Sequence, residues 1–360
     1  MNRIHNFSAG PAVLPASVVD ELRDALLNLG GSGIGLMEIS HRSKAFQAVV
    51  DSCVARVKAT LNVPDDYTVL FLQGGASLQF YMTALNLLRP GEAADYLVTG
   101  TWAQKAIKEA KRIGDAKAIW DDAANNFKSV PKNGEYKVRD NAVYLHYTSN
   151  NTIYGTQFHH TPDSAGKPLI ADLSSDIAGV PVDMAKHDLI YAGAQKNLGP
   201  SGVTLVILSP WALSRVPAGL PVMLDYSVHA KDGSLHNTPN CVGIYVIERV
   251  LAWMEANGGM PAMIERNAAK AALLYGELDR TAFWTPHAAR DSRSVMNVTW
   301  RLGTEALEEQ FVKEAKAAKM DGLKGHRSVG GIRASLYNAL GIESVEVLVD
   351  FMKEFERKNG

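Results

Sequence analysis

One lysine, Lys196, lies in the stretch DLIYAGAQKNLGPSGVTLVIL, between two apolar runs that are typical of buried strands. Lysine is almost never fully buried unless a partner or a reaction uses its charge. Asp172 ends another apolar run, KPLIAD. A lysine that loses its proton on desolvation can form a Schiff base with an aldehyde, and an aspartate beside a pyridine nitrogen keeps that ring cationic and electron-withdrawing. The alternative is a lysine that reaches solvent from a turn and an aspartate that caps a helix.

A glycine-rich turn in FLQGGASLQF could bind a phosphate. It follows an apolar run and leads into a segment of helical period, so the backbone N–H groups of Gly75, Ala76 and Ser77 would lie at a helix N-terminus, where anions bind. A Gly-Gly turn alone is equally typical of an ordinary strand-to-helix connection. Together with Lys196 and Asp172, it predicts a site for pyridoxal phosphate, which carries both an aldehyde and a phosphate.

Two further residues would suit the same cofactor. Trp102 in GTWAQKA begins the next helical segment, and its indole could lie flat on an aromatic ring. Thr152 in HYTSNNTIYGTQ lies among hydroxyl and amide side chains where a strand ends, and it could hold the phenolic oxygen of the cofactor. The alternatives are a tryptophan that only fills the core and a polar loop that is only a turn.

Clusters of cationic side chains suggest an anionic substrate. His41 and Arg42 occur together in EISHRSKAF, and His326, Arg327 and Arg333 occur among glycines in GLKGHRSVGGIRASLYNAL. Guanidinium groups bind carboxylate and phosphate through paired hydrogen bonds. Each cluster alone is also typical of a solvated loop. Two His-Arg pairs and a further arginine suit a doubly anionic substrate better than a plain amino acid.

The sequence lacks the motifs of several other enzyme classes. It contains no G-x-G-x-x-G after a strand, no Walker A sequence, no G-x-S-x-G and no H-E-x-x-H. The two cysteines, Cys53 and Cys241, are far apart and form no CxxC motif, so neither a disulfide framework nor a zinc site is indicated. We expect no metal.

The alternation of short apolar runs with segments of helical period, between residues 68 and 208, predicts an α/β fold. Its large domain would contain a mostly parallel central sheet covered by helices. Parallel strands would place Asp172 and Lys196, each predicted to end a strand, at one carboxyl edge of the sheet, where such sheets bind ligands.

After NTPN the pattern changes to long helices, which are separated by Gly258 and Gly259. We therefore predict a large cofactor-binding domain over residues 1–257 and a smaller C-terminal α+β domain over residues 258–360. The segment 1–15 is expected to pack near the smaller domain.

The composition argues against nucleic-acid and membrane partners. The chain has 360 residues, of which 46% are hydrophobic and 21% charged, and its formal net charge is −1. No basic field therefore draws it to nucleic acid or to an anionic membrane. The start, MNRIHNFSAGPAVLP, contains no apolar targeting segment. We expect a cytoplasmic protein without nucleic-acid or membrane partners.

With these residues identified, the chain resembles the phosphoserine aminotransferase family, which consists of class V aminotransferases of pyridoxal-phosphate fold type I. The resemblance covers nearly the whole chain and is carried by NFSAGPAVLP, EISHRS, LQGGASLQF, GTWAQKAIKEA, TSNNTIYGTQF, LIYAGAQKNLGPSGVT and LKGHRSVGGIRASLYNA. It implies that Lys196 forms the Schiff base, Asp172 faces the pyridine nitrogen, Trp102 stacks on the ring and Thr152 contacts the phenolic oxygen.

The resemblance also implies a homodimer with shared active sites. The cofactor phosphate would be bound within one subunit by Ala76, Ser77 and Gln195 and from the other subunit by Asn237 and Thr238. The substrate phosphate would be bound by His41 and Arg42 from the other subunit together with His326 and Arg327, and Arg333 would bind the α-carboxylate. Some family members have an arginine where this chain has Ser77, so one possible contact to the substrate phosphate is missing here.

The implied reaction transfers an amino group from L-glutamate to 3-phosphohydroxypyruvate and yields O-phospho-L-serine and 2-oxoglutarate, a step of serine biosynthesis. A phosphorylated hydroxythreonine of pyridoxine biosynthesis is a further possible product. Alternatives are a glyoxylate aminotransferase, a cysteine desulfurase, or a non-enzymatic ligand-binding protein on the same scaffold. Cys53 and Cys241 lie in helical segments, whereas a desulfurase needs a mobile cysteine.

Overall fold

The computed structural model describes residues 3–360. The strands are β1 (His5–Asn6), β2 (Thr68–Leu72), β3 (Ala93–Val98), β4 (Asp115–Asp121), β5 (Ala142–Thr148), β6 (Asn150–Asn151), β7 (Thr156–Gln157), β8 (Leu169–Asp172), β9 (Leu189–Gly193), β10 (Thr204–Leu208), β11 (Thr285–Pro286), β12 (Asn297–Arg301), β13 (Met320–Asp321) and β14 (Ile332–Ser335). The α-helices are α1 (Ala16–Leu27), α2 (Lys44–Leu61), α3 (Gly75–Leu87), α4 (Thr101–Ala110), α5 (Pro210–Arg215), α6 (Tyr226–Lys231), α7 (Cys241–Ala256), α8 (Gly259–Leu278), α9 (Glu305–Ala317) and α10 (Ile342–Asn359).

The central sheet has seven strands in the order β2-β10-β9-β8-β5-β3-β4. Only β10 runs antiparallel to its neighbours, β2 and β9, and the pairs from β9 to β4 are parallel. Strands β8, β9 and β10 are buried along their whole length, which explains why they are continuous apolar runs instead of alternating ones. The predicted mostly parallel α/β sheet is confirmed.

Helices cover both faces of this sheet. In β2, Val69 and Phe71 pack into the core cluster that includes residues of α2 and α7, whereas Leu70 and Leu72 pack into the cluster that includes residues of α3 and α4. This division follows from the strand's period of two residues, which directs successive side chains to opposite faces.

A second, smaller sheet is antiparallel, with the order β11-β12-β14. Its core contains Trp300 of β12, Phe311 of α9 and Phe355 of α10. The long helix α8 contributes Met263 to the core of the large sheet and Leu274 to the core of the small one. The division at residues 257 and 258 stays a prediction.

The N-terminal strand lies beside the C-terminal part of the chain. β1 pairs in parallel with β13, and Phe7 is fully buried in the core of the small sheet. Residues 1 and 2 of the predicted segment 1–15 lie outside the described residues.

Lys196 does not end a strand, as the sequence suggested, because β9 stops at Gly193. The lysine lies in the hairpin that joins β9 to β10, and Ala194 N donates to Val203 O (3.0 Å) at the base of that hairpin. Because β10 runs antiparallel to β9, the two strands are joined by a loop instead of a helical crossover. Lys196 therefore lies in that loop and not at the end of a strand. Within residues 3–360, no helix has the length and hydropathy needed to cross a membrane.

Candidate active site

A cavity of about 300 Å³ opens at the carboxyl edge of the central sheet. It brings together residues that are far apart in sequence, and nine of those predicted above line it: Ala76, Ser77, Trp102, Thr152, Asp172, Gln195, Lys196, His326 and Arg333. The edge forms because β8 and β9 are adjacent and parallel, so the residues that follow them lie side by side.

The amine of Lys196 is held by two hydroxyl groups. Lys196 Nζ donates to Thr152 Oγ1 (2.6 Å) and to Ser175 Oγ (2.7 Å), and the residue is only 9% exposed. Burial lowers the pKa of Lys196 from its usual 10.5 to about 8, although the negative charge of Asp172 opposes this shift and Arg333 adds to it. A pKa of about 8 leaves roughly a tenth of the amine neutral at pH 7, so it is prepared to act as a nucleophile or a base.

Asp172 is the last residue of β8 and is 4% exposed. Burial raises its pKa, while hydrogen bonds from Ser174 and the positive charge of Lys196 lower it in part. The backbone N–H of Ser174 donates to Asp172 Oδ1 (2.9 Å), which fixes the carboxyl group. A buried carboxylate of this kind gains stability from a cationic partner in the cavity.

The glycine turn before α3 is the one that the sequence predicts to bind a phosphate. Gly74 and Gly75 have φ values of 87° and 66°, in the left-handed region that favours glycine. A Cβ at Gly74 would lie 2.5 Å from the side chain of Leu78. Helix α3 begins at Gly75 without a side-chain cap, so the N–H groups of its first turn, including those of Ala76 and Ser77, remain for an anion.

Trp102 lies in the first turn of α4 and is half-buried, and its Nε1 is shielded from solvent without a hydrogen-bond partner among residues 3–360. Lys105, one turn later, places its Nζ 4.4 Å from the centroid of the indole ring. The indole lines the cavity.

Arg333 of β14 carries its guanidinium into the cavity from the smaller sheet. Its Nη1 donates to Thr152 O at 3.3 Å, a long bond, and its Nε is buried with no partner in the described chain. Burial lowers the pKa of Arg333. No ion pair to a carboxylate is formed by Arg333 within residues 3–360, so the guanidinium is available for an anionic ligand.

His326 also lines the cavity, and its Nδ1 is 2.7 Å from Ser328 Oγ. Burial lowers the pKa of His326, and the positive charges of Arg333, Arg327 and Lys105 lower it further. The three charges named here are all positive, and they give the entrance of the cavity an electropositive character.

Five predicted residues do not line this cavity: His41, Arg42, Asn237, Thr238 and Arg327. Arg42, Thr238 and Arg327 are exposed, and the other two are half-buried. The Thr238 carbonyl accepts a hydrogen bond from Gln73 Nε2 (3.3 Å), beside the glycine turn of the same chain. The predicted roles of these five residues, like those of the nine that line the cavity, stay predictions.

Sequence reasoning missed two residues in the run DLSSDI, namely Ser175 and Asp176. Ser175 holds the lysine amine. Asp176 is buried behind Asp172 and accepts hydrogen bonds from Ser149 and from Gln157 Nε2 (3.0 Å). Burial raises the pKa of Asp176 to about 6. The density of hydroxyl and carboxyl groups directly after a buried strand was a signal that could have identified both.

Comparison with known proteins identifies the family. Residues 4–348 match the family model of Aminotransferase class-V. The chain belongs to the class-V aminotransferases. This aminotransferase is 51% identical over 360 residues to the phosphoserine aminotransferase of Desulfosudis oleivorans, with 99% of each chain covered.

Solved structures of phosphoserine aminotransferases have the same fold as this chain. The phosphoserine aminotransferase from Bacillus circulans subsp. alkalophilus superposes on this aminotransferase with a TM-score of 0.98 at 47% identity, covering 100% of both chains. The PLP-bound phosphoserine aminotransferase from Trichomonas vaginalis superposes with a TM-score of 0.93 at 34% identity, covering 98% of this chain and 100% of that one. The fold is therefore that of the fold type I pyridoxal-phosphate enzymes.

The cavity fits pyridoxal phosphate, the cofactor of this family. It supplies a buried amine with a lowered pKa, a buried carboxyl group, a half-buried indole and an uncapped helix N-terminus. These groups match an aldehyde, a pyridine nitrogen, an aromatic ring and a phosphate. This aminotransferase uses pyridoxal phosphate. No group of His, Cys, Asp and Glu residues within residues 3–360 could hold a metal ion.

Proposed function

We propose that the chain is a phosphoserine aminotransferase, which transfers the amino group of L-glutamate to 3-phosphohydroxypyruvate and yields O-phospho-L-serine and 2-oxoglutarate. The observation that carries the proposal is the meeting of Lys196 Nζ, held at 2.6 and 2.7 Å by two hydroxyl groups, with the Arg333 guanidinium, which forms no ion pair with a carboxylate of residues 3–360, in one cavity. An amine and a carboxylate-binding guanidinium are what an amino-acid substrate of such an enzyme requires. The identity of about 50% with curated phosphoserine aminotransferases over the full length supports the choice of substrate.

Lys196, Asp172 and Trp102 would hold the cofactor by its aldehyde carbon, ring nitrogen and ring face. Thr152 would contact the phenolic oxygen, and the phosphate would be bound by Ala76, Ser77 and Gln195, which line the same cavity. When bound, pyridoxal phosphate supplies the carbonyl that takes up the amino group and the ring that withdraws electrons from the substrate Cα.

The protein's own residues then move one proton. Arg333 binds the α-carboxylate through paired charge-assisted hydrogen bonds, which places the substrate Cα near Lys196 Nζ. The neutral amine takes the proton from Cα, and the ammonium returns it on the cofactor side. The hydroxyl groups of Thr152 and Ser175 keep Nζ in place, and the charge of Asp172 favours a cationic ring nitrogen.

The phosphorylated substrate would be recognised at the electropositive entrance. His326 and Arg327 would bind the substrate phosphate from the same chain. His41 and Arg42 would do so from the second subunit of a homodimer, and Asn237 and Thr238 of that subunit would reach the cofactor phosphate. The segment that carries His41 supports this assembly, since the apolar side chains of Leu27 and Met37 are 78% and 76% exposed in the single chain.

The alternatives receive less support. Neither cysteine lines the cavity, and burial raises the pKa of both Cys53 and Cys241, which makes each thiol less reactive. A cysteine desulfurase is therefore disfavoured. The intact pair of Asp172 and Lys196 argues against a protein that only binds ligands. A cytoplasmic location stays a prediction, to which the two free cysteines are suited.

A panel of keto acids offered with L-glutamate tests the proposal. We expect 3-phosphohydroxypyruvate to give the highest kcat/KM, with glyoxylate and pyruvate far below. A higher kcat/KM for an unphosphorylated keto acid would contradict the proposed substrate, and release of sulfide from cysteine would indicate the desulfurase instead. The 2-oxo acid that corresponds to the phosphorylated hydroxythreonine belongs in the same panel.

A further inference from the structure

Three buried asparagines meet beneath the active site. Asn197 follows Lys196, Asn267 lies on α8, and Asn338 lies in the turn between β14 and α10. The backbone N–H of Asn338 donates to Asn197 Oδ1 (3.1 Å), and Asn267 Nδ2 donates to Asn338 Oδ1 (2.8 Å). We call these three residues the asparagine cluster.

The asparagine cluster holds three successive backbone carbonyls. Asn197 Nδ2 donates to the carbonyl of residue 177 (2.9 Å), Asn338 Nδ2 to that of Ala178 (2.7 Å), and Asn267 Nδ2 to that of Gly179 (3.0 Å). Ala178 has a φ of 58°, a left-handed conformation that is unfavourable for a residue with a Cβ. Each amide thus fixes one peptide group of a segment that would otherwise relax.

Residues 177–179, whose carbonyls the asparagine cluster binds, directly follow residues of the active site. This segment begins directly after Ser175 and Asp176, and Ser175 Oγ is one of the two acceptors for Lys196 Nζ. Asn197 is the next residue after Lys196. The asparagine cluster therefore holds both the lysine and one of its hydroxyl partners through adjacent backbone.

The opposite end of the cluster belongs to the element that carries Arg333. Asn338 follows β14 by three residues, and Arg333 is the second residue of that strand. Lys270, one turn after Asn267 on α8, donates from Nζ to the carbonyls of Leu336 (2.8 Å), Tyr337 (2.8 Å) and Leu340 (3.0 Å). The turn around Asn338 is thus held on both sides, and its position is transmitted to β14 through the backbone.

We propose that Asn338 is a positioning residue that sets the placement of the Arg333 guanidinium relative to the amine of Lys196. The inference rests on the proposed aminotransferase function. The substrate α-carboxylate is bound at Arg333 while its Cα must reach Lys196 Nζ, so the distance between these two groups decides whether a bound substrate reacts. A displacement of about 1 Å can cost on the order of a hundredfold in rate.

The test compares Asn338→Ala with a matched control, Asn86→Ala. Asn86 is also buried, donates from Nδ2 to Met82 O and Leu224 O (2.8 Å each) and accepts from Tyr226 N (3.1 Å). Like Asn338 it does not line the cavity, but none of these hydrogen bonds reaches residues 177–179 or the turn after β14. Both variants should lose thermal stability. Only Asn338→Ala should lower kcat/KM for glutamate, by at least about tenfold, and weaken the binding of a non-reacting dicarboxylate, maleate, by a similar factor.

A spectroscopic measurement separates positioning from stability. The pH midpoint of the cofactor's visible absorbance in the holoenzyme reports the surroundings of the lysine nitrogen, and we expect it to shift in Asn338→Ala but not in Asn86→Ala. An Asn338 variant with a lowered Tm, but with the parent's maleate affinity and absorbance midpoint, would overturn the inference. If Asn338→Ala is not recovered folded, Asn338→Ser, which adds no charge and removes the amide donor to Ala178 O, is judged by the same outcomes. A parent enzyme that does not transaminate glutamate would refute the proposed function, while maleate binding and the midpoint would still test Asn338.

Discussion

The amine of Lys196 destabilises the folded protein when no cofactor is bound, and the size of this effect follows from its pKa. Burial lowers that pKa from 10.5 to about 8, and the difference corresponds to about 3 kcal/mol, since each pKa unit is worth ~1.4 kcal/mol. We predict that Lys196→Met stabilises the cofactor-free protein at pH 7 by up to about this amount, while it abolishes transamination.

The sign of the pH dependence is fixed by the direction of the shift. Between pH 8 and 10.5 the unfolded chain binds a proton at Lys196 that the folded chain does not, so the stability of the parent protein rises with pH in this window. The Lys196→Met variant lacks this pH-dependent contribution to stability. Its advantage over the parent should therefore shrink by about 2 kcal/mol between pH 7 and pH 9.5.

Urea unfolding of both proteins, freed of pyridoxal phosphate, measures the two free energies at each pH. Lys111→Met, at an exposed lysine after α4, controls for the loss of one positive charge. Its difference from the parent in the free energy of unfolding should be the same at pH 7 and pH 9.5. A stability difference between Lys196→Met and the parent that is the same at pH 7 and pH 9.5 would refute the reasoning, because it would mean that the buried amine titrates as it does in the unfolded chain.

Three further predictions concern the reaction. Asp172→Asn should keep the fold and bind some cofactor but lose catalysis, because an amide does not keep the ring nitrogen protonated; single-turnover rates equal to those of the parent would exclude this role. Subunits with Lys196→Ala and Thr238→Val, each inactive alone, should form a hybrid dimer with one intact site, and no recovered activity after confirmed subunit exchange would argue against shared sites. Arg327→Ala should lower kcat/KM about ten- to a hundredfold for 3-phosphohydroxypyruvate only, since charge-assisted hydrogen bonds are worth roughly 1.5–3 kcal/mol. Arg333→Ala should lower kcat/KM for unphosphorylated keto acids as well. The measurement is made at fixed low salt, and equal losses for both substrates in Arg327→Ala would place the phosphate elsewhere.

The sequence predicted the residues whose type conflicts with their surroundings. Lys196 is a cation between two apolar strands, and Asp172 ends a third, β8, so both could be found from local pattern alone. The alternation of strands and helices was sufficient for the sheet, but not for the antiparallel direction of β10, because a buried strand has the same apolar pattern in either direction.

Residues that act through distant partners were not predictable in this way. Ser175 is one hydroxyl among several in DLSSDI, and only the folded chain shows that it accepts from Lys196 Nζ. The asparagine cluster joins three residues that are separated by 71 and 141 positions. Asparagine is a common surface residue, so nothing local distinguishes Asn338 from an asparagine in a solvated turn.

The pairing of β1 with β13 has a consequence for synthesis of the protein on the ribosome. Ala9 and Gly10 line the cavity, and they are held by contacts with residues made more than three hundred positions later, such as the hydrogen bond from the Tyr337 hydroxyl to Ala9 O (2.9 Å). The N-terminal segment, which leaves the ribosome first, can therefore dock only after the C-terminal residues that bind it have been synthesised. The central sheet can form earlier, since domains generally fold as units during synthesis, but the active site can close only when the chain is nearly complete.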